Sequence, residues 1–296
     1  MTPTFSVVRR QWLLFAVWLV VCSLVFLRPC AAAFNYAMHN DNASHILLIP
    51  FLVAWLIYLD RQKIVPRSVD LSAALLLALP AAAIWAFALR QSFADATVPL
   101  ALSILAFVLF IAAGFVALFG RDSAKATWSS LTFLLFLVPF PEPILSKVIH
   151  LLQVGSAAVT DVVFDLSGAP VLREGFVFHL PKVSIEVAQE CSGIRSSIAL
   201  VILALLVARF AFRAFWKKLV FVAAGLAMML IKNGIRIATL TLLANYVNPD
   251  FLYGKLHHEG GIVFFLIGLA LLWPVYYFLR KGEMPEPAAI TQQKTS

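Results

Sequence analysis

Residues 190–195, Glu-Cys-Ser-Gly-Ile-Arg, place a cysteine where a polar segment meets a long apolar run. The thiolate form of cysteine is the nucleophile, and a helix N-terminus or a nearby cation favours that form. The apolar run predicts a helix from residue 192, so Cys191 would lie at its N-terminus, with Arg195 one turn further on. Cys191 is therefore the candidate nucleophile of a thiol acyl-transfer site.

The neighbours of Cys191 are the types that would support such a site. Ser192 is predicted to cap the helix, and Gly193 to leave space for a substrate backbone. Glu190 and Arg195 add charge on either side of the thiol. The alternative is a buried structural cysteine at a helix end, which is a common use of this residue.

A second polar group interrupts the apolar pattern near residue 236. Asn233 and Arg236 are three residues apart and Lys232 is four residues from Arg236, so one helix face carries all three. Arginine at membrane depth is costly and usually faces a partner or a wet cavity. Arg236 is predicted to hold a substrate carboxylate or stabilise a tetrahedral oxyanion; the alternative is a side chain that reaches the outer interface.

A pair of histidines precedes the last apolar run. Histidine exchanges protons near neutral pH, so it can act as base in thiol attack and as acid on the leaving amine. His258 and His257 are both candidates for this role. A metal site is not predicted, because adjacent histidines point in different directions on a helix and no third ligand is evident. No cofactor is predicted either.

The composition is that of a membrane protein. The chain has 296 residues, of which 62% are hydrophobic and 13% charged. Apolar runs long enough to cross a bilayer predict eight spans, at residues 11–27, 45–59, 71–89, 98–120, 128–140, 192–212, 219–237 and 261–279. The first is predicted to be an uncleaved span rather than a signal peptide. The net charge of +8 lies mainly in short loops, and no nucleic-acid partner is predicted.

The predicted fold is an all-α polytopic membrane protein with a small extracytoplasmic insertion. Residues 144–166 have the pattern of an amphipathic helix on the membrane surface. Residues 175–180 and 183–187 then predict a β-hairpin before Cys191. We expect one membrane-embedded domain over residues 1–282 and a disordered cytoplasmic tail over residues 283–296.

The predicted topology brings the candidate residues to one face. Cytoplasmic loops attract Lys and Arg, and their distribution favours an N-terminus inside the cell. Cys191 would then begin an inward span, Arg236 would end an outward span, and His258 would precede the last inward span, all at the outer face. The other cysteines are Cys22, inside an apolar run, and Cys30, for which a disulfide with Cys191 is an alternative.

The motifs together resemble the exosortase/archaeosortase family of membrane transpeptidases. The resemblance lies mainly in residues 190–196 (Glu-Cys-Ser-Gly-Ile-Arg-Ser), in residues 233–237 (Asn-Gly-Ile-Arg-Ile) and in a histidine followed by Gly-Ile-Val-Phe-Phe at residues 261–265. It extends to Val-Pro-Phe-Pro at residues 138–141, the hairpin and residues 45–50, and so covers about residues 40–280.

The resemblance implies an inner-membrane cysteine peptidase or transpeptidase with its site on the outer face. Cys191 would be the nucleophile, Arg236 the oxyanion or orienting group, and His258, with His257 as the alternative, the acid and base. Substrates would be exported proteins that end in a short motif such as Pro-Glu-Pro, a transmembrane helix and a basic tail, with water, a lipid or a polysaccharide as acceptor. The alternatives are a transporter and a non-catalytic assembly factor for exopolysaccharide export; Cys191→Ala distinguishes the factor from an enzyme.

Overall fold

A computed structural model describes residues 5–65, 69–188, 193–252 and 261–281. The α-helices are α1 (Phe5–Val25), α2 (Leu27–His39), α3 (Ile49–Asp60), α4 (Leu71–Arg90), α5 (Thr97–Ala126), α6 (Trp128–Thr132), α7 (Glu142–Ser167), α8 (Ile194–Ala211), α9 (Phe215–Tyr246) and α10 (Gly261–Arg280). Short 3₁₀ helices cover Asp41–Leu47, Arg61–Lys63, Phe133–Leu137 and Pro249–Leu252. The strands are β1 (Leu172–Glu174), β2 (Val177–His179) and β3 (Ser184–Glu186).

Eight helical segments of the described chain are long and apolar enough to cross a membrane. They are Val8–Val25, Asp41–Lys63, Leu71–Arg90, Thr97–Ala126, Glu142–Ser167, Ile194–Ala211, Phe215–Tyr246 and Ile262–Arg280. The predicted class, an all-α polytopic membrane protein with about eight transmembrane helices, is confirmed. The predicted starts at residues 71 and 261 agree with α4 and α10.

The fifth candidate segment, by length and composition, is not the predicted one. Residues 128–140 hold only the short apolar helix Trp128–Leu137, because Val138 adopts an extended conformation before Pro139. Helix α7 has the necessary length instead, with 26 residues and a mean hydropathy of 1.3. This value is the lowest of the eight segments, which explains why the same residues have the pattern of an amphipathic surface helix.

The predicted hairpin is confirmed and is part of a three-stranded antiparallel sheet. Strand β2 pairs with β3 in the register Phe178↔Ile185. Strand β1 pairs with the other side of β2. The sequence pattern did not indicate β1, because all three of its residues are exposed and no apolar alternation marks it.

Two units make up the chain, divided after residue 148. In the first, α5 packs against α1 and α4. Trp18 donates a hydrogen bond of 2.9 Å to the carbonyl of Phe110. A side chain at Gly114 would overlap the Trp18 indole, so glycine is required there. The predicted end of the fourth span, at residue 120, coincides with a break in α5, where Gly120 has φ of 79°.

The second unit contains most of α7, the sheet, and α8 to α10. The inner face of the sheet packs on α7 and α9 through an apolar cluster that includes Phe178, Phe164, Val187 and Ile237. Helix α9 has 32 residues, more than the predicted span of residues 219–237. The tail over residues 283–296 lies outside the described residues, and its disorder stays a prediction, as does the single domain over residues 1–282.

Candidate active site

Helices α8 and α9 lie side by side in opposite directions. Phe212, just after the end of α8, shares an apolar core with Phe221, near the start of α9. At the other end of the pair, Lys232 of α9 donates a hydrogen bond to Ser196, in the first turn of α8. The start of α8 is therefore level with the middle of α9, around residue 232.

Helix α10 packs on α9 and is also antiparallel to it. Leu272 belongs to the same core as Phe221. A Cβ at Gly268 would lie 3.4 Å from Cγ of Lys232, so the two helices approach closely at this point. The earlier residues of α10, towards Gly261, therefore extend towards the C-terminal end of α9.

This arrangement places Arg236, the start of α8 and the start of α10 at similar positions along the axis of α9. With a rise of about 1.5 Å per residue, Arg236 lies about 6 Å beyond Lys232. Gly261 lies about 10 Å from Gly268 in the same direction. The start of α8, next to the cysteine segment, and the start of α10, next to the histidines, thus both lie within roughly one helical turn of Arg236 along the α9 axis.

Gly193 forms the entry to α8 and explains why glycine follows the cysteine segment. It is the N-cap residue, in the left-handed conformation with φ of 70° and ψ of 21°, and no side chain caps the helix. A Cβ at this position would lie 2.8 Å from Oδ1 of Asn233. Gly193 is therefore required by backbone conformation and by contact with α9, and the space that it would leave for a substrate stays a prediction.

Asn233 connects three parts of the second unit. Its side chain is buried, with 1% of its surface exposed, and its Nδ2 donates a hydrogen bond of 2.9 Å to Oγ of Ser156 on α7. Its Oδ1 faces Gly193 at the start of α8. Asn233 thus lies between α7 and the turn at the start of α8, and its supporting role in the reaction stays a prediction.

Lys232 holds the same turn from another direction. Its side chain is 2% exposed, and its Nζ donates a hydrogen bond to Oγ of Ser196. The Ser196 hydroxyl in turn donates a hydrogen bond of 3.0 Å to the carbonyl of Gly193. These two hydrogen bonds connect Lys232 to the turn at Gly193 and stabilise it. A buried ammonium group in an apolar helix is costly and usually belongs to a functional site.

The catalytic candidates differ in how far the structure describes them. Five of them lie outside the described residues: Cys191, Glu190, Ser192, His257 and His258.

Of the other candidates, Arg236 is half-buried, Asn233 is buried, and Arg195 is exposed in the first turn of α8. Helix α8 begins at Ile194 with Gly193 as its N-cap. The helix thus starts two residues after the predicted position, and the prediction that Ser192 caps it was wrong, because Gly193 is the N-cap residue. The predicted one-turn relation between Cys191 and Arg195 involves a residue outside the described ranges and stays a prediction.

Several polar residues of α7 lie at its contact with α9, and the sequence analysis did not identify them as part of the site. Gln153, Ser156 and Thr160 are buried. The single Thr160 hydroxyl hydrogen is shared between the carbonyl of Ser156, at 2.8 Å, and that of Gly234, at 3.3 Å. A Cβ at Gly234 would lie 2.5 Å from Cγ1 of Val159, so α7 and α9 touch here. The spacing of residues 153, 156 and 160 on one helical face was the available signal.

Gly193→Ala should destabilise the protein by about 1–2 kcal/mol, because alanine resists the left-handed conformation, and its Cβ would also displace Asn233. The measurement is thermal unfolding in detergent. Gly168→Ala is the matched control, since Gly168 has a similar φ of 68° but open space around its Cβ position. Equal effects of the two substitutions would show that the contact with Asn233 contributes nothing.

Comparison with known proteins identifies the family. The family model of the transmembrane exosortases (Exosortase_EpsH) matches residues 35–274, which is most of the chain. No curated protein and no solved structure matches it. The matched region includes Cys191, Arg236 and His258. The chain therefore belongs to the transmembrane exosortase family.

Proposed function

We propose that the chain is a membrane cysteine transpeptidase or peptidase that removes C-terminal sorting signals from exported proteins. Its site would lie on the outer face of the inner membrane. The substrates would carry a short motif of the Pro-Glu-Pro kind, a transmembrane helix and a basic tail. Membership of the exosortase family supports this proposal.

The observation that carries the proposal is that Arg236, the start of α8 and the start of α10 lie at similar positions along the axis of α9. Arg236 lies within about one helical turn of the starts of α8 and α10. Cys191 precedes Gly193 by two residues, and two residues of chain span at most about 7 Å. His258 precedes Gly261 by three residues, or at most about 11 Å. Chain length thus allows a thiol, a guanidinium and an imidazole to meet.

The proposed reaction proceeds in two acyl-transfer steps. The Cys191 thiolate attacks the carbonyl carbon of the scissile peptide bond, and Arg236 stabilises the oxyanion that forms. His258, with His257 as the alternative, donates a proton to the leaving amine, so the C–N bond breaks and a thioester remains. Water, a lipid amine or a polysaccharide group then attacks the thioester, and the histidine accepts the proton of that nucleophile. The C–S bond breaks, which releases the acyl product and regenerates the Cys191 thiolate.

Trapping the thioester tests the proposal directly. The chain is produced with an exported protein from the same genome that ends in motif, span and basic cluster, and Cys191 is analysed by mass spectrometry. We expect a shortened substrate and a Cys191 adduct that hydroxylamine removes. A substrate that is shortened equally when Cys191 is alkylated would refute the thiol mechanism. A substrate left intact in the presence of the chain would favour the assembly factor.

A further inference from the structure

The geometry points to the free edge of β3 as a binding site for the substrate polypeptide, which would pair with it as a fourth, extended strand. This inference rests on the proposed function, because it assigns a place to the peptide that the thiol attacks. It concerns main-chain recognition next to the site, and it does not depend on which side chains form the sorting motif.

The pattern of hydrogen bonds shows which backbone groups of β3 face outward. The amide of Val187 bonds to the carbonyl of Phe176, and that of Leu180 bonds to the carbonyl of Val183, each at 2.9 Å. Hydrogen-bonded pairs alternate along an antiparallel ladder. Ile185 therefore directs its backbone N–H and C=O groups to β2, and its two neighbours in β3 direct theirs away from β2.

The outward groups remain available in the described chain. The sheet order β1-β2-β3 makes β3 an edge strand. The side chains of Ser184 and Glu186 are exposed. Ser184 Oγ contacts Nδ1 of His179 at 2.9 Å, and the carbonyl of Glu186 accepts a bond from Ala188. The Ser184 N–H and C=O and the Glu186 N–H have no hydrogen-bond partner among residues 5–65, 69–188, 193–252 and 261–281.

The rest of the sheet is held firmly, so this edge is preorganised. The Phe178 side chain is completely buried and packs edge-on against Phe164. Gln153 Nε2 donates a hydrogen bond of 2.8 Å to the carbonyl of Val187, immediately after β3. Lys182 N–H donates one of 3.0 Å to Oδ1 of Asn245 on α9. A rigid edge loses little entropy when a peptide pairs with it, which favours strand addition.

The opposite edge of the sheet is a poorer candidate. By the same alternation, Arg173 is the residue of β1 whose backbone faces outward. Its side chain forms an ion pair of 2.7 Å with Asp161 and lies over the Phe178 ring. Strand β1 thus has one residue whose backbone groups face outward, and β3 has two. An added strand would therefore form more hydrogen bonds at β3.

Strand β3 lies close in sequence to Cys191, the proposed nucleophile. Cys191 follows Glu186 by five residues, which span at most about 18 Å. A peptide paired with β3 would therefore need roughly five extended residues, or fewer, to reach the thiol. Extended peptides also present each carbonyl to a nucleophile, which a helical substrate does not. The unpaired edge thus lies where a peptidase needs to hold its substrate.

Ser184→Pro tests the inference, because proline removes the outward N–H of residue 184 and leaves the hydrogen bonds of Ile185 to β2 in place. The reference variant is Ser184→Ala, which also loses the hydroxyl contact with His179 but keeps the N–H. We expect KM for processing to be about fivefold to tenfold higher in the proline variant than in the alanine variant, the equivalent of one hydrogen bond. Equal KM values would overturn the inference.

A second measurement covers the case in which the proline variant does not fold. The unmodified protein receives synthetic substrates in which single amides on the N-terminal side of the cleaved bond are replaced by esters, which lack the N–H donor. Strand pairing predicts that KM rises at every second position, because alternate residues face the partner strand. A uniform response along the peptide would refute pairing. Absence of cleavage of the all-amide substrate would refute the proposed function instead.

Discussion

Cys191→Ala should reduce processing of an exported substrate by at least about a thousandfold, because the alanine side chain cannot form the thioester. The amount of protein in the membrane should not change. The measurement compares shortened and full-length substrate in cells and in detergent, at equal protein amounts. Retained processing would show that the chain acts through another nucleophile.

The two other cysteines provide matched controls for this result. Cys22 is buried in α1, and Cys30 lies in α2; both are free thiols, so the alternative of a Cys30–Cys191 disulfide is not formed. Burial raises the pKa of the Cys30 thiol and makes it a poorer nucleophile. Cys22→Ala and Cys30→Ala should therefore process the substrate at the unmodified rate, and a loss in either would point to a general effect of removing a thiol.

Ser196→Ala should destabilise the protein by about 2–3 kcal/mol, because it removes the hydroxyl that accepts a hydrogen bond from buried Lys232. Without this acceptor, no hydrogen bond offsets the desolvation free energy of the buried ammonium group. Lys232→Met should cost less, because methionine fills a similar space and needs no acceptor. The measurement is the midpoint of thermal unfolding in detergent.

The double variant makes this prediction specific. Ser196→Ala should be much less harmful in the Lys232→Met background, so the two effects should differ from additivity by about 1–3 kcal/mol. Ser196 also donates a hydrogen bond to Gly193, and that loss should remain in the double variant. Simple additivity would mean that the two side chains do not stabilise each other.

Much of the fold could be predicted because lipid leaves the chain few options. Backbone groups in the apolar core must bond to each other, so long apolar runs form helices. The start of α10 and the hairpin around Phe178 followed from composition and alternation. The placement of Lys232, Asn233 and Arg236 on one helix followed from their spacing.

Several features could not be predicted because they depend on packing between segments that are distant in sequence. Helix α7 had too many polar residues for a typical span, yet Ser156 and Thr160 of this helix bond to α9 and are buried by it. The contact of Gly193 with Asn233, forty residues away along the chain, had no signal in the sequence. Spacing within one helix carries no information about such contacts.

The length of α9 has a consequence for the products of the proposed reaction. From Lys217, near its start, to Arg236 is about 28 Å along the helix axis, close to the thickness of the lipid hydrocarbon layer, about 30 Å. Bond cleavage beside Arg236 would then occur at the boundary of that layer. The severed anchor would keep its entire apolar stretch and stay in the bilayer. The exported portion would retain no apolar residues of that anchor, so with water as the acceptor it would leave the membrane.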